Sequence, residues 1–191
     1  MELRNFLAAK SSQMLPLGTP APAFSLPDTS GNAHPLADAA GSQAYLVMFI
    51  CNHCPYVKAI TKKLVRDTTD LIDLGINRVA LMPNDTVAYP DDSAANMLLI
   101  AKEFDFPFPY LLDETQEVAR AYGAVCTPDF FGYNAKLQLQ YRGMLDESGK
   151  NPDKNDVRRD LYLAMKQVAQ SGVGPPEQIP SMGCSIKWRN P

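Results

Sequence analysis

Cys51-Asn52-His53-Cys54 places two thiols three residues apart. They follow the apolar run Tyr45-Leu46-Val47-Met48-Phe49-Ile50 and precede a helical pattern. Strand, turn and helix in that order put Cys51 at or beside a helix N-terminus. Unpaired backbone N–H groups and the helix dipole favour negative charge there. The thiolate is the nucleophilic form of cysteine, so Cys51 is expected to be the reactive sulfur, with a pKa in the range of about 3.5–7.5. Cys54 is spaced to close a disulfide after the first attack. The chemistry expected is thiol–disulfide exchange: Cys51 forms a mixed disulfide with a substrate, and Cys54 then attacks Cys51 and releases the reduced substrate.

The residues between and after the thiols fit that chemistry. A cationic His53 would help hold negative charge on Cys51, and a stabilised thiolate makes the disulfide more oxidising. Pro55 suits the first turn of a helix, where its missing N–H would be unpaired anyway. Two other uses compete. A structural zinc site would need further ligands from Cys126, Cys184, His34 or His53, and no second closely spaced pair exists. A metal-handling module, in which Cys51, His53 and Cys54 hold a soft ion such as Cu(I) or Zn(II), is the alternative from a different class. Stoichiometric metal in the purified protein would favour it, and a reversible metal-free disulfide would favour exchange. Inert core cysteines would leave the spacing and its context unexplained.

The chain around this pair has 191 residues, 46% of them hydrophobic and 20% charged, enough for one domain with a sizeable core. Its formal net charge of −3 shows no clustered basic surface for nucleic acid. No apolar run approaches the roughly 18 residues of a membrane span. Residues 1–10 are too short and too polar for the apolar core of an export signal. The expectation is a cytoplasmic protein with neither nucleic-acid nor membrane partners. In that reducing compartment a disulfide is more often catalytic than structural. Apart from its redox-active disulfide the chemistry requires no bound cofactor. Its partners would be a protein or small-molecule disulfide and an upstream thiol reductant.

Residues 1–22 read as a leader, 23–171 as the domain and 172–191 as a tail rich in Pro and Gly. Phe24-Ser25-Leu26 and Ala33-His34 flank Thr29-Ser30-Gly31-Asn32, a hairpin in which His34 is a surface residue. Residues 45–50 and 78–82 are buried strands. Residues 54–73 form a helix with Val57, Ile60, Leu64, Thr68, Leu71 and Ile72 on one face, ended by Gly75. Asp91-Asp92 reads as capping chemistry for a helix over 93–104. A short strand at 110–112, a helix over 115–122, strands at 129–133 and 137–142, and a helix over 155–170 complete the pattern. It specifies an α/β fold with a mixed sheet covered on both faces.

Several segments together resemble the thioredoxin-like superfamily, and within it the peroxiredoxin-like redoxin branch (AhpC/TSA-type, TlpA-like). The resemblance covers nearly the whole chain. It runs from Leu17-Gly18-Thr19-Pro20-Ala21-Pro22-Ala23-Phe24-Ser25-Leu26 through Phe49-Ile50-Cys51-Asn52-His53-Cys54-Pro55, Asp113-Glu114-Thr115 and Thr127-Pro128-Asp129-Phe130-Phe131 to Pro180-Ser181-Met182-Gly183-Cys184-Ser185-Ile186-Lys187-Trp188. It implies a thioredoxin-like three-layer sandwich, with a mixed central β-sheet, helices on both faces, an N-terminal hairpin extension and an irregular C-terminal tail. It also implies that Pro128 is cis and that the backbone of Thr127 is free to pair with a substrate chain, a short form of strand addition. The pattern departs from its relatives in three places. Tyr45 stands where thioredoxins bury an Asp, Ile50 stands where they carry a Trp, and neither framing on Cys51 nor on Cys54 supplies the Thr of a peroxide-binding P-x-x-x-T-x-x-C. The enzymatic alternative is a thiol-dependent peroxidase, and the peroxidatic cysteine of that family falls at the position of Cys54. Side chains alternate along a strand, so a Thr127 that faces the thiols turns Cys126 into packing. Cys184, in a tail anchored by Ile186 and Trp188, is the candidate auxiliary or resolving thiol. The competing use is a small apolar residue that seats the tail.

Overall fold

The structure is a computed structural model, and it describes residues 9–189. Among these, the chain runs through β1 (Ala9–Ser11), β2 (Ser25–Pro27), β3 (Ala33–Pro35), β4 (Ala44–Phe49), α1 (Pro55–Asp70), β5 (Ile76–Met82), α2 (Ala94–Glu103), β6 (Tyr110–Leu112), α3 (Glu117–Ala121), β7 (Cys126–Thr127), β8 (Asp129–Asn134), β9 (Leu139–Gly143), α4 (Asp160–Ser171) and β10 (Met182–Ser185). The first eight residues of the expected leader lie outside the described residues.

The main sheet has the order β6-β5-β4-β8-β9. β4, β5 and β6 are parallel, while β8 runs antiparallel to β4 and β9 to β8. β4 lies at its centre and is buried along its whole length, as its continuous apolar run requires. Its side chains alternate between two cores. Ala44, Leu46 and Met48 join the core that includes Val57, Ile60 and Leu64 of α1 with Leu161, Met165 and Val168 of α4. Tyr45, Val47 and Phe49 face the opposite core with Ala119 of α3 and with Tyr122. Tyr122 and Phe131 meet the Phe49 ring edge to face, at 5.7 and 5.6 Å. The expected mixed sheet with helices on both faces is therefore present, and so is the hairpin, as β2 pairs antiparallel with β3.

Helix boundaries shift for local reasons. α1 starts at Pro55, because proline fixes the first helical φ. A separate 3-10 turn at Ile72–Leu74 follows it, and Gly75 ends that turn at φ 68°. α4 begins at Asp160 and not at 155. Just before it, Arg159 reaches Asp67 and Asp70 of α1 at 2.7 and 2.6 Å, which ties the two helices together.

The expected irregular tail is corrected. Residues 182–185 form β10, the middle strand of a second sheet in the order β1-β10-β7. Cys184 lies opposite both Ala9 and Thr127. Ser181 fastens the approach: its hydroxyl donates to the Pro128 carbonyl at 2.7 Å, and its backbone exchanges hydrogen bonds with Ser12. Gly183 permits the fit, since a Cβ there would stand 2.0 Å from the Thr127 carbonyl oxygen. A four-residue strand containing glycine has no readable period, and its partners are far away in sequence.

Candidate active site

The thiol turn follows the C-terminal end of β4, at the start of α1. All four cysteines carry free thiols and all are buried. The residue that caps α1 is Cys54, with extended backbone immediately before Pro55, and Cys51 lies upstream of the helix. Thr127 faces the pair: its Oγ1 is 3.1 Å from Cys51 Sγ, and its carbonyl oxygen is 3.2 Å from Cys54 Sγ. The Thr127–Pro128 bond is cis. Cys126 turns away from the thiols, with its sulfur near the Pro128 carbonyl, and burial raises its pKa. His34, in the hairpin, pairs with Asp28 at 3.0 Å away from this site.

The electrostatics reverse the expected order of the two thiols. The strongest influence on Cys54 is its hydrogen bond with Cys51, which favours the anion. Burial opposes it, but the Cys184 side chain and the backbone N–H groups of Val57 and Cys184 add to it, and the Cys54 thiol is pulled down to about 5. Cys51 moves the other way. The shared hydrogen bond, burial and the nearby Asp92 carboxylate push it well above the ordinary thiol value, and only Thr127 works against them. The sequence reading had given the depressed pKa to Cys51. The cause of the difference is first the hydrogen bond the two thiols share, which leaves the anion on Cys54, and the N–H of Val57 in the first turn of α1 adds to it. Access runs opposite to charge. Cys51, not Cys54, lines a cavity of about 380 Å³ walled by apolar groups including Ile50, Val57, Ile100 and Phe106.

A carboxylate that sequence reasoning assigned elsewhere holds the turn in place. Ser93 caps α2, not Asp91-Asp92. Asp92 is fully buried beneath the thiol turn and accepts from the Asn52 N–H at 2.7 Å, the His53 N–H at 3.3 Å, His53 Nδ1 at 2.6 Å and Asn84 Nδ2 at 2.8 Å. Burial pulls against its ionisation, but these donors outweigh it and keep its pKa below the usual carboxylate value. Asn52 accepts from the Tyr110 hydroxyl at 3.0 Å, which fixes the other side of the turn. His53 is part-buried between Asp92 and the ring of Tyr89, on which it stacks at 5.6 Å. It reaches the thiols through Asp92 and is not an exposed turn residue. Asp92, Asn84 and Tyr110 were not legible as site residues, because each lies tens of positions from the thiols it supports.

Cys51, His53 and Asp92 bring potential metal-ligating atoms within 4.8 Å of one another. The oxygens of Asp92 are already committed to four N–H donors, so a metal would have to break the hydrogen bonds that shape the turn. Cys184 completes the site. It lies opposite Thr127 in the same core cluster as Cys51 and Cys54, and burial and the neighbouring Cys54 push its pKa up to about 12.

A helix capped by one thiol of a close pair, a cis-proline beside it and a central mixed sheet define a thioredoxin-like redox protein. The chain belongs to the AhpC/TSA family, whose model matches residues 17–150. It is similar to a conserved protein of Geobacillus kaustophilus of known crystal structure, with 43% identity and a TM-score of 0.89 over 97% of this chain and 98% of that one. It shares 26% identity over 141 residues with "Putative peroxiredoxin Rv2521" of Mycobacterium tuberculosis, covering 74% of this chain and 84% of that protein. The thioredoxin domain of the Bacteroides vulgatus thiol-disulfide oxidoreductase BVU-2223 shares the fold at 20% identity, with a TM-score of 0.57 over 68% of this chain and 89% of that one.

Proposed function

We propose that this chain is a thiol–disulfide oxidoreductase that cycles Cys51 and Cys54 between dithiol and disulfide. The observation that carries the reading is the division of labour within the pair. Cys51 opens on a cavity, and Cys54 is stabilised as an anion behind it. An incoming thiolate attacks Cys51 of the disulfide and expels Cys54, and a low-pKa thiol leaves faster. In reverse, the Cys54 thiolate attacks the mixed disulfide at Cys51 and releases the reduced substrate. Cys51 thus exchanges with substrate and Cys54 resolves, as the spacing suggested, although the low pKa lies on the resolving sulfur. A cytoplasmic setting, an upstream thiol reductant and the lack of a bound cofactor belong to the same proposal. Engagement of Asp92 by four donors favours this reading over a metal-handling module.

The test is trapping. In the Cys54→Ser variant, a low-molecular-weight disulfide should leave a stable mixed disulfide on Cys51, while the wild-type chain turns it over. A wild-type chain that forms no reversible Cys51–Cys54 disulfide would overturn the proposal.

One observation favours a peroxidase as the second reading: the anionic thiol is the one capping the helix, where the AhpC/TSA pattern places its peroxidatic cysteine. Consumption of hydrogen peroxide in the presence of a thiol reductant, abolished in Cys54→Ser, would establish it.

A further inference from the structure

The edge beside Pro128 was expected to be free for a substrate chain, and it is not. β10 of the same chain occupies it. Cys184 pairs with Thr127 and Ser185 with Cys126, and the Ile186 N–H continues to the Val125 carbonyl at 3.0 Å. The opposite edge of β10 is covered by β1. Where strand addition would lay a foreign chain, the protein has laid its own. That strand carries a cysteine at the residue opposite Thr127, whose carbonyl oxygen is 3.2 Å from Cys54 Sγ, and Cys184 is buried in the same core cluster as Cys51 and Cys54. Three cysteines, Cys51, Cys54 and Cys184, therefore gather around Thr127, which touches the first two and pairs with the third.

We propose that Cys184 is a third redox thiol, brought to Cys54 by a strand that stands in for a substrate chain, and that Cys54 can close a disulfide with either neighbour. The inference rests on the exchange reading above, because Cys54 must be a reactive sulfur. The step is an internal exchange. Cys184 Sγ attacks Cys54 Sγ of the Cys51–Cys54 disulfide, one S–S bond forms as the other breaks, and the proton of Cys184 passes to the departing Cys51. No net oxidation occurs and no co-reactant is consumed. Its consequence is that Cys51 becomes free at the cavity while the two oxidising equivalents are stored one sulfur deeper. Cys126, on the other face of the neighbouring strand, takes no part.

The experiment uses the full chain, reduced and then treated with one equivalent of hydrogen peroxide. It is alkylated in acid and digested without reduction for mass-spectrometric mapping. In the Cys51→Ser variant, Cys54 is oxidised to the sulfenic acid, the Cys184 thiol displaces water from it, and the expected product is a Cys54–Cys184 link. Overall, two thiols and one peroxide give one disulfide and two waters. The wild-type chain should give mainly the Cys51–Cys54 link with a minor Cys54–Cys184 share that Cys184→Ala lacks. A folded Cys51→Ser chain in which Cys184 is alkylated, whatever the state of Cys54, overturns the inference. If Cys51→Ser loses its cooperative unfolding transition, the wild-type map decides: a Cys54–Cys184 share supports the inference and its absence overturns it. Failure of the exchange reading is separate, being a wild-type chain without the Cys51–Cys54 link.

Discussion

At the scale of single residues, the site works by placing two identical groups in unlike surroundings. Cys54 has a helix N-terminus, two backbone N–H groups and two thiols directed at it, while Cys51 has a carboxylate nearby and a hydroxyl. With the Cys54 thiol near 5, its anion outweighs its acid by about 100-fold at pH 7, which raises the potential of the disulfide by about 60 mV relative to an ordinary pair. The sign in pH follows. Below pH 5 reduction takes up two protons, and above it only one. The midpoint potential should therefore fall by about 59 mV per pH unit below pH 5 and by about 30 mV above it. A redox titration against glutathione at several pH values locates the break, and a steep slope persisting to pH 8 would mean that Cys54 is protonated. His53 and Asp92 give a second, paired expectation. Removing His53 leaves the Asp92 charge less compensated near the pair, which disfavours its one negative charge, so His53→Ala should lower the potential, by about 30 mV for each tenfold loss of Cys54 thiolate preference. Asp92→Asn removes the charge and should raise the potential. It also costs about 1–3 kcal/mol of stability, because a buried N–H donor loses its acceptor. Potentials shifting in the same direction in both variants would refute the coupling.

At the scale of elements, what could be read from the sequence was whatever its own neighbours determine. The run Tyr45–Ile50 announced a buried central strand, the apolar stripe Val57, Ile60, Leu64 announced α1, and the spacing Cys51 to Cys54 announced the chemistry. What could not be read depends on distant partners. Asp92 bonds to Asn52 forty positions away, and β10 is a strand only because β1 and β7 flank it. The pKa order failed for a finer reason: the helix start was read to within one residue, but which thiol holds the anion depends first on the hydrogen bond the two share and on the distant Cys184, neither of which the local sequence shows. β10 also offers a mechanical test. A Cβ on Gly183 would stand 2.0 Å from the Thr127 oxygen and 2.5 Å from its carbonyl carbon, both backbone atoms with little room to yield. Gly183→Ala should therefore push β10 off β7 and lower stability by about 1–3 kcal/mol. It should also raise the Cys54 pKa, since the Cys184 donors move with the strand. Thermal unfolding reads the first effect and thiolate ultraviolet absorbance the second. A variant with lowered stability but an unmoved Cys54 would show that β10 plays no part in holding the anion.

At the scale of the whole molecule, the two ends of the chain determine what can reach the thiols. β1 and β10 come from opposite ends and close over the cis-proline edge, so the backbone of Thr127 already has its partner. A protein substrate that relies on strand addition would have to displace a strand hydrogen-bonded on both sides and anchored by buried Ile186 and Cys184. An approach that β10 does not close is the cavity at Cys51, whose volume of about 380 Å³ lies in the range of small-ligand sites. Its apolar walls, with Lys58 and Glu103 among the residues lining it, suit a compact molecule with an apolar body. The full chain should therefore exchange with low-molecular-weight disulfides much faster than with the interchain disulfides of a folded protein such as insulin, under the same reductant. Widening the cavity by Phe106→Ala should change the size preference among small disulfides without restoring exchange with insulin, because the cavity and the strand edge are separate obstacles. Comparable rates for insulin and a small disulfide in the wild-type chain would show that β10 leaves the edge readily in solution, and the closed arrangement would then not set the choice of substrate.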